Sequence, residues 1–132
     1  MNINSVKQIG VIHSDLKELR DCPLQEHENA PGAVIEIFTE FEEGAKNLKQ
    51  GDELILLTWL HLADRAVLST KPRNDPNASL TGVFSTRSPN RPNPIGIHFV
   101  KVVSDFKNRK FTVSGIEVLD QTPLIDIKPI IK

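Results

Sequence analysis

The fold is decided by two neighbouring stretches, Ile95-Gly96-Ile97-His98-Phe99-Val100-Lys101-Val102 and Phe111-Thr112-Val113-Ser114-Gly115-Ile116-Glu117-Val118. Successive side chains of a β-strand point to opposite faces of the sheet. One face of the first stretch therefore carries Ile95, Ile97, Phe99 and Lys101, and the other carries Gly96, His98, Val100 and Val102. This alternation predicts a long strand with one face toward a core.

The second stretch predicts a strand that changes phase. Phe111 and Val113 share one face, whereas Ile116 and Val118 resume in the opposite phase. A β-bulge at Ser114-Gly115 would produce this slip, and glycine tolerates the backbone conformation of a bulge. Within the connecting residues 105–109, Asn108 supplies the turn.

Further strands are predicted outside this pair. Residues 6–12, 33–38 and 53–61 are rich in apolar or β-branched side chains and are predicted as strands. Residues 41–48 match a short helical turn, and residues 71–79, with Pro72 and Pro76, match a loop. The order predicts one domain over residues 1–132, an all-β fold built as a compact closed or partly closed β-barrel with little helix.

The composition is that of an ordinary globular protein. The 132 residues include 39% hydrophobic and 25% charged side chains. No stretch approaches the roughly 20 apolar residues of a membrane span, residues 1–10 do not resemble a secretion signal, and Cys22 is the single cysteine. We therefore expect a cytoplasmic protein without a membrane partner. The formal net charge of -1 argues against a globally basic nucleic-acid binder, although cations concentrate between Arg65 and Arg91.

Several common kinds of site are absent from the sequence. The chain has neither G-x-G-x-x-G nor a Gly-Lys-Ser/Thr motif, so it lacks the usual dinucleotide and P-loop phosphate sites. Its four histidines have no metal-ligand spacing with one another or with Cys22, and we expect no metal site. Cys22 itself is interpreted as a partly buried thiol, since no spacing supports a base partner.

The most unusual stretch is Gly82-Val83-Phe84-Ser85-Thr86-Arg87-Ser88-Pro89-Asn90-Arg91-Pro92-Asn93-Pro94-Ile95-Gly96. Its prolines prevent a helix, cannot donate to a sheet and push the residues before them toward extended conformations. The loop is therefore stiff and presents the guanidinium groups of Arg87 and Arg91, which suit a carboxylate or a phosphate. The alternative is a proline-rich connector with solvated arginines, and composition alone leaves both open.

A second stretch with polar groups in unusual places is Leu119-Asp120-Gln121-Thr122-Pro123-Leu124-Ile125-Asp126-Ile127-Lys128-Pro129. Asp120 and Thr122 lie at a strand end before a proline, where their side chains can reach a ligand. Alternation predicts that Asp126 shares a face with Leu124 and Lys128. Asp126 is then either paired with Lys128 or an arginine, or poised as an acceptor.

These two stretches closely resemble the signature of the TsaA/TrmO-like family, in which a G-V-F-x-T-R-S-P-x-R-P-N-P-I-G loop precedes a D-G-T-P-x-x-D-I-K-P segment. The first match runs from Gly82 to Gly96, and the second departs once, at Gln121, where the signature has glycine. Ile9-Gly10-Val11-Ile12-His13-Ser14 is also similar to the family's opening strand. The resemblance covers essentially the whole chain.

The resemblance implies an S-adenosylmethionine-dependent methyltransferase with a β-barrel fold, acting as a homodimer with the cofactor near the subunit interface. The implied reaction is methylation of the exocyclic amine of a threonylcarbamoyl-modified adenosine beside the anticodon of tRNA. The cofactor contacts that it implies are Gln25, Leu60, His61, Phe84, Thr86, Arg87, Asp120, Gln121, Thr122 and Pro123. Arg91, Lys71 and Arg73 are expected to bind substrate phosphate, and Asp126 or Asp120 to act in catalysis by accepting the N–H of the amine.

Two departures from the family pattern keep other functions open. Leu24 in Pro23-Leu24-Gln25 replaces an arginine, and Gly51-Asp52-Glu53 replaces the family's Phe-Ser-His. Acidic side chains in place of neutral or basic ones repel phosphate. The alternatives are a methyltransferase for a small molecule or another RNA, and a module that binds S-adenosylmethionine or RNA without catalysis.

Overall fold

The computed structural model describes residues 5–16, 32–72 and 75–132. The predicted cofactor contact Gln25, the predicted phosphate contact Arg73 and the thiol of Cys22 lie outside these described residues. No helix within the described ranges has the length and apolar character that crossing a membrane requires.

The described chain is built mainly from β-strands. They are β1 (Gly10–His13), β2 (Ala33–Ile37), β3 (Glu53–Trp59), β4 (Ser69–Thr70), β5 (Thr81–Gly82), β6 (Ile95–Val102), β7 (Lys110–Ser114) and β8 (Thr122–Pro129). Six of them close into an antiparallel barrel in the order β1-β2-β7-β6-β3-β8, and β4 pairs with β5 in a separate small sheet. Thr39–Ala45 and Val83–Ser85 form short 3₁₀ helices. The predicted all-β barrel with little helix is therefore confirmed.

The barrel is filled by the inward face of each strand. On β6, the alternation predicted from the sequence is observed, with one set of side chains buried and the other exposed. The largest fully buried side chains include Phe111, Ile12, Ile35, Ile37, Leu56, Ile116 and Leu124. Because full burial of such a side chain is worth about 1.5–3 kcal/mol, the packed barrel interior is the main favourable term in folding.

Three predicted strands are confirmed with different boundaries, among them β2, which ends at Ile37 rather than at Phe38. β1 begins at Gly10 rather than at Val6, because Gly10 is the first residue that pairs with both β2 and β8. β3 ends at Trp59, two positions before His61. The helical turn predicted for residues 41–48 is observed as the 3₁₀ helix Thr39–Ala45.

The β-bulge predicted at Ser114-Gly115 is not observed, because β7 ends at this position. β7 stops at Ser114, and Gly115 has a φ of 87°, which glycine adopts without strain. Ile116 and Val118 are both buried beyond this point, so the change of phase is real. The chain changes phase by leaving the sheet instead of bulging within it.

The turn predicted at Asn108 is confirmed. Lys107 and Lys110 exchange two backbone hydrogen bonds of 2.9 and 3.0 Å across it. Asn108 and Arg109, with φ values of 54° and 64°, are the two central residues. Two positive φ values are typical of a type I′ hairpin turn, whose twist matches that of the flanking strands.

β8 contains a bulge that the sequence pattern does not reveal. Thr58 of β3 pairs with Leu124, but Leu57 pairs with Asp126, so Ile125 has no partner of its own on β3. Leu124 is fully buried, whereas the Asp126 side chain is 48% exposed. The prediction that Leu124 and Asp126 share a face is wrong, because one extra residue shifts the alternation by one position.

Replacing Gly96 with alanine is expected to destabilise the barrel. A Cβ at position 96 would lie 2.4 Å from Thr58 Oγ1 and 2.8 Å from His98 Nε2. These two atoms already form a buried 2.9 Å hydrogen bond and cannot easily move apart. We expect Gly96→Ala to lower the free energy of unfolding by about 1–3 kcal/mol in urea denaturation. Gly82→Ala is the matched control, since a Cβ there meets no atom within 4 Å, and equal losses in both variants would contradict the prediction.

Candidate functional site

Three segments singled out in the sequence meet at one end of the barrel. β3 ends there at Trp59, which pairs with Ile95 at the start of β6. β8 begins at the same end, beside the last residues of β3. The N–H of Leu60 donates to the Pro94 carbonyl at 2.8 Å and extends this contact beyond the sheet. Leu60 and His61, the loop before β6 and the turn before β8 therefore surround one end of the barrel.

The loop of residues 83–94, which we call the arginine loop, is folded around the guanidinium group of Arg91. Arg91 Nε donates to the Ser88 carbonyl at 2.7 Å. Arg91 Nη2 donates to the carbonyls of Val83 at 2.8 Å and Thr86 at 2.6 Å. Hydrogen bonds from a charged donor are roughly twice as strong as neutral ones. Because prolines exclude regular backbone pairing here, the Arg91 contacts hold the loop together.

Arg65 braces the arginine loop from the neighbouring segment. Its Nε donates to the Pro92 carbonyl at 2.7 Å, and its guanidinium carbon lies 5.0 Å from the centre of the Trp59 ring. A cation over the face of an indole is attracted by the ring quadrupole. The N–H of Asp64 also donates to Asn90 Oδ1 at 2.8 Å. The segment after β3 and the arginine loop therefore form one packed unit.

Arg87 differs from both of these arginines. It is exposed, and in the described part of the chain its guanidinium group has no hydrogen-bond or ion-pair partner. The adjacent Thr86 is fixed, because its hydroxyl donates to the Val83 carbonyl at 2.9 Å and accepts the Ser88 N–H at 3.2 Å. Phe84 on the same loop is 80% exposed. The loop thus presents an unpaired guanidinium group on a fixed backbone, which suits the binding of an anion.

The turn of residues 119–122, which we call the Asp120 turn, lies on the other flank of β3. The N–H and the hydroxyl of Thr122 both donate to the Leu119 carbonyl, at 3.2 and 2.7 Å. The N–H of Gln121 donates to the Ile12 carbonyl of β1 at 2.7 Å. Gln121, the third residue of the turn, has a φ of 70°. Because Thr122 is buried, it supports the turn, whereas Asp120 and Gln121 reach the surface.

Asp120 and Gln121 belong to a polar cluster with β1 and β2, which we call the His13 network. The Ser14 N–H donates to Asp120 Oδ1 at 2.9 Å. Gln121 Nε2 lies 3.4 Å from Asp120 Oδ2 and 3.0 Å from His13 Nδ1. His13 Nε2 lies 2.7 Å from Glu36 Oε1. The Asp120 turn is thereby connected to the outer face of two strands.

The electrostatics of this network fix its hydrogen-bond directions. The hydrogen bond with His13 lowers the pKa of Glu36 below its usual value, burial opposes this effect, and the charges of His13, Lys110 and Arg109 add to it. Glu36 is therefore a charged acceptor at neutral pH. His13 donates to it through Nε2, so in the neutral ring Nδ1 is left as an acceptor for the Gln121 amide.

The roles of His13, Glu36 and Arg65 in this site were not predicted from the sequence. His13 lies 23 positions from Glu36 and 108 positions from Gln121. Arg65 was noted only as one member of a basic region. No spacing rule connects residues so far apart, because their proximity depends on how the strands pair.

Other predicted site residues lie outside this arrangement. Lys71 is exposed, and its Nζ donates to the Pro76 carbonyl at 3.0 Å. Asp126 lies within β8, where its carboxylate is 3.2 Å from Lys128 Nζ, as in the structural alternative considered for it. The catalytic role of Asp126 and the phosphate-binding roles of Lys71 and Arg91 stay predictions.

A cavity of about 890 Å³ opens at the opposite end of the barrel. Its lining includes the apolar side chains Ile9, Ile37, Phe41, Leu48 and Leu54 and the carboxylates Glu40, Glu43, Asp52, Glu53 and Asp126. Apart from Asp126, none of the predicted site residues described here contributes to it. We place the candidate site at the arginine loop, because that end of the barrel carries the unpaired cation and the polar turn.

Sequence comparison relates this chain to one family. The model of the tRNA-methyltransferase O N-terminal domain matches residues 11–132. A probable S-adenosyl-L-methionine-binding protein of Methanocaldococcus jannaschii is 46% identical over 105 residues, which cover 76% of this chain and 82% of the relative. Another, from Archaeoglobus fulgidus, is 41% identical over 129 residues, which cover 98% of this chain. This chain spans 34% of the length of that second relative.

Solved structures share the fold. The crystal structure of TrmO from Pseudomonas aeruginosa is 32% identical with a TM-score of 0.75, and the match covers 98% of this chain and 57% of that one. A further crystal structure of TrmO is 34% identical with a TM-score of 0.76, and the match covers 98% of this chain and 58% of that one. This chain therefore spans little more than half the length of these proteins.

Removal of Arg91 is expected to loosen the arginine loop, whereas removal of Arg87 is not. Arg91→Ala deletes three hydrogen bonds to backbone carbonyls, and we expect it to lower the free energy of unfolding by about 1–3 kcal/mol. Amide hydrogen exchange of residues 83–94 should accelerate in the same variant. Arg87→Ala is the matched control, since it removes an equal charge without removing a contact, and similar exchange in both variants would contradict the bracing role.

Proposed function

This chain belongs to the tRNA-methyltransferase O N-terminal domain family, and we propose that it methylates tRNA with S-adenosylmethionine as the methyl donor. The acceptor in this proposal is the exocyclic amine of a threonylcarbamoyl-modified adenosine beside the anticodon, which implies action in the cytoplasm. The observation that carries the proposal is Arg87, which has no partner among the described residues and lies on a braced loop at the same barrel end as the Asp120 turn. Relatives named as S-adenosyl-L-methionine-binding proteins support the choice of cofactor.

The residues at this end of the barrel suit the chemical groups of S-adenosylmethionine. The guanidinium group of Arg87 is suited to bidentate binding of its carboxylate. The half-buried Leu60 and the exposed Phe84 offer apolar surface to its adenine. The Asp120 carboxylate can accept hydrogen bonds from its hydroxyl or amino groups. Anionic, apolar and hydrogen-bond-donating parts of the cofactor thus each have a matching residue.

Methyl transfer requires that the amine be aligned with the methyl group and that a hydrogen-bond acceptor be available for the amine N–H. S-adenosylmethionine, when bound, supplies a methyl group on a positively charged sulfur, which is already a strong electrophile. The protein must hold the amine in line with that methyl group at near-attack distance. Because the amine lone pair is delocalised into the adenine ring, an acceptor for its N–H raises its reactivity in the transition state.

Asp120 is the candidate acceptor at this end of the barrel. Its Oδ1 is oriented by the Ser14 N–H, and a carboxylate oxygen can accept more than one hydrogen bond. Asp126, the other candidate, is ion-paired with Lys128 and lies within β8. We therefore assign the acceptor role to Asp120 in preference to Asp126.

We also propose that two copies of this chain associate through the outer face of β3 and β6. Ile95, Ile97 and Phe99 are 45%, 36% and 57% exposed there. They pair in register with Trp59, Leu57 and Ile55, so the apolar surface is continuous. Such a patch is typical of a protein–protein interface, and it reaches the candidate site at Trp59. A monomer in sedimentation analysis at micromolar concentration would contradict this association.

Cofactor binding provides the first test. We expect S-adenosylmethionine and S-adenosylhomocysteine, but not ATP or NAD, to raise the melting temperature of the protein. At 100 times the dissociation constant the added stability is about 2.7 kcal/mol. Arg87→Ala should raise the dissociation constant roughly tenfold through loss of a charge-assisted pair. If the melting temperature does not change, the assignment of S-adenosylmethionine as the cofactor is contradicted. If the dissociation constant is the same in Arg87→Ala, the proposed role of Arg87 is contradicted.

Methyl transfer provides the second test. We expect label from methyl-labelled S-adenosylmethionine to enter tRNA that carries the threonylcarbamoyl group, and not tRNA that lacks it. Mass spectrometry of the nucleosides would identify the product. If label enters small metabolites or another RNA instead, that molecule and not tRNA is the methyl acceptor. Tight binding without turnover on any of these pools would favour a non-catalytic binding module.

A further inference from the structure

We propose that Gln121 is a positioning residue that holds the Asp120 carboxylate in place for the cofactor by tying it to His13 and Glu36. This inference rests on the proposed function, because the ligand in question is S-adenosylmethionine. Turn formation by itself requires neither the Gln121 side chain nor this network.

The backbone conformation of Gln121 indicates that its side chain has a role other than forming the turn. Gln121 has a φ of 70°, a conformation that glycine adopts freely and that other residues adopt under strain. Glycine would therefore form the same turn with less strain. The presence of glutamine instead of glycine at this position is therefore explained by the contacts of its side chain.

The contacts of the Gln121 amide use both of its hydrogens. In the neutral His13 ring, donation through Nε2 to Glu36 leaves Nδ1 as an acceptor, and Gln121 Nε2 lies 3.0 Å from it. The same Nε2 lies 3.4 Å from Asp120 Oδ2, which also can only accept. An amide flipped by half a turn would place its oxygen against two acceptors. With a neutral His13 ring, the network therefore specifies one orientation of the amide.

In this orientation the Gln121 amide contacts the Asp120 carboxylate oxygen that does not accept the Ser14 N–H. Asp120 Oδ1 accepts the Ser14 N–H at 2.9 Å, and Oδ2 faces the Gln121 amide. The anchor continues through His13 to Glu36, whose Oε2 lies 3.6 Å from Arg109 Nη1. With both oxygens oriented before the ligand arrives, less side-chain freedom is lost on binding.

Substitutions at position 121 separate positioning from turn formation. Gln121→Gly removes the amide and suits the backbone, and Gln121→Glu keeps the size but replaces the donors with a carboxylate beside Asp120. We expect dissociation constants for S-adenosylmethionine, measured by calorimetry, to rise several-fold for Gln121→Gly and about tenfold or more for Gln121→Glu. The urea midpoint of Gln121→Gly should be unchanged or higher. Gln50→Gly, at an exposed glutamine outside the site, is the matched control with unchanged binding.

A double-mutant cycle tests the connection to His13. His13→Phe alone should weaken binding, but adding it to Gln121→Gly should weaken binding little further, because the two side chains act through one contact. Normal affinity in both Gln121 variants, or strictly additive effects with His13→Phe, would overturn the inference while leaving the proposed function intact. Absence of S-adenosylmethionine binding by the unmodified protein would overturn both.

Discussion

β3 is paired along both of its edges, and this double pairing determines how the barrel and the candidate site are arranged. β3 forms an antiparallel ladder with β6 on one side and with β8 on the other, and this closes the barrel. Because antiparallel neighbours run in opposite directions, the starts of β6 and β8 both lie at the end of β3. The arginine loop precedes β6 and the Asp120 turn precedes β8. A single strand therefore brings two segments together that are distant in the sequence.

The two flanks of this site are rigid for different reasons. The arginine loop contains prolines and lacks regular pairing, so side-chain donors from Arg91 and Arg65 satisfy its carbonyls. The Asp120 turn is held by backbone hydrogen bonds to β1 and by the His13 network. In both cases charged or polar side chains fix backbone that carries a functional group. Arg87 needs no partner within the described part of the chain, because other residues maintain the loop around it.

Prediction from the sequence succeeded where a pattern is local and failed where partners are distant. The alternation along β6 and the turn at Asn108 follow from neighbouring residues, and the structure confirms both. The faces assigned to Leu124 and Asp126 were wrong, because the bulge depends on how β8 pairs with β3. The phosphate-binding role of Arg91 stays a prediction, and no sequence pattern predicts its hydrogen bonds to three carbonyls of its own loop. Spacing cannot distinguish an arginine that supports a loop from one that the loop presents.

Four features can be read from the amino-acid sequence: the strand pattern, the all-β class, the stiffness of the proline-rich loop and the family resemblance. These follow from side-chain periodicity, from the fixed φ of proline and from a long contiguous motif. The folded structure was needed to show that Arg91 and Arg65 brace the loop, whereas Arg87 has no partner among the described residues. It was also needed to show that His13 contacts both Glu36 and Gln121. The reason is that strand register, which local sequence leaves open, sets the distances between groups on different strands.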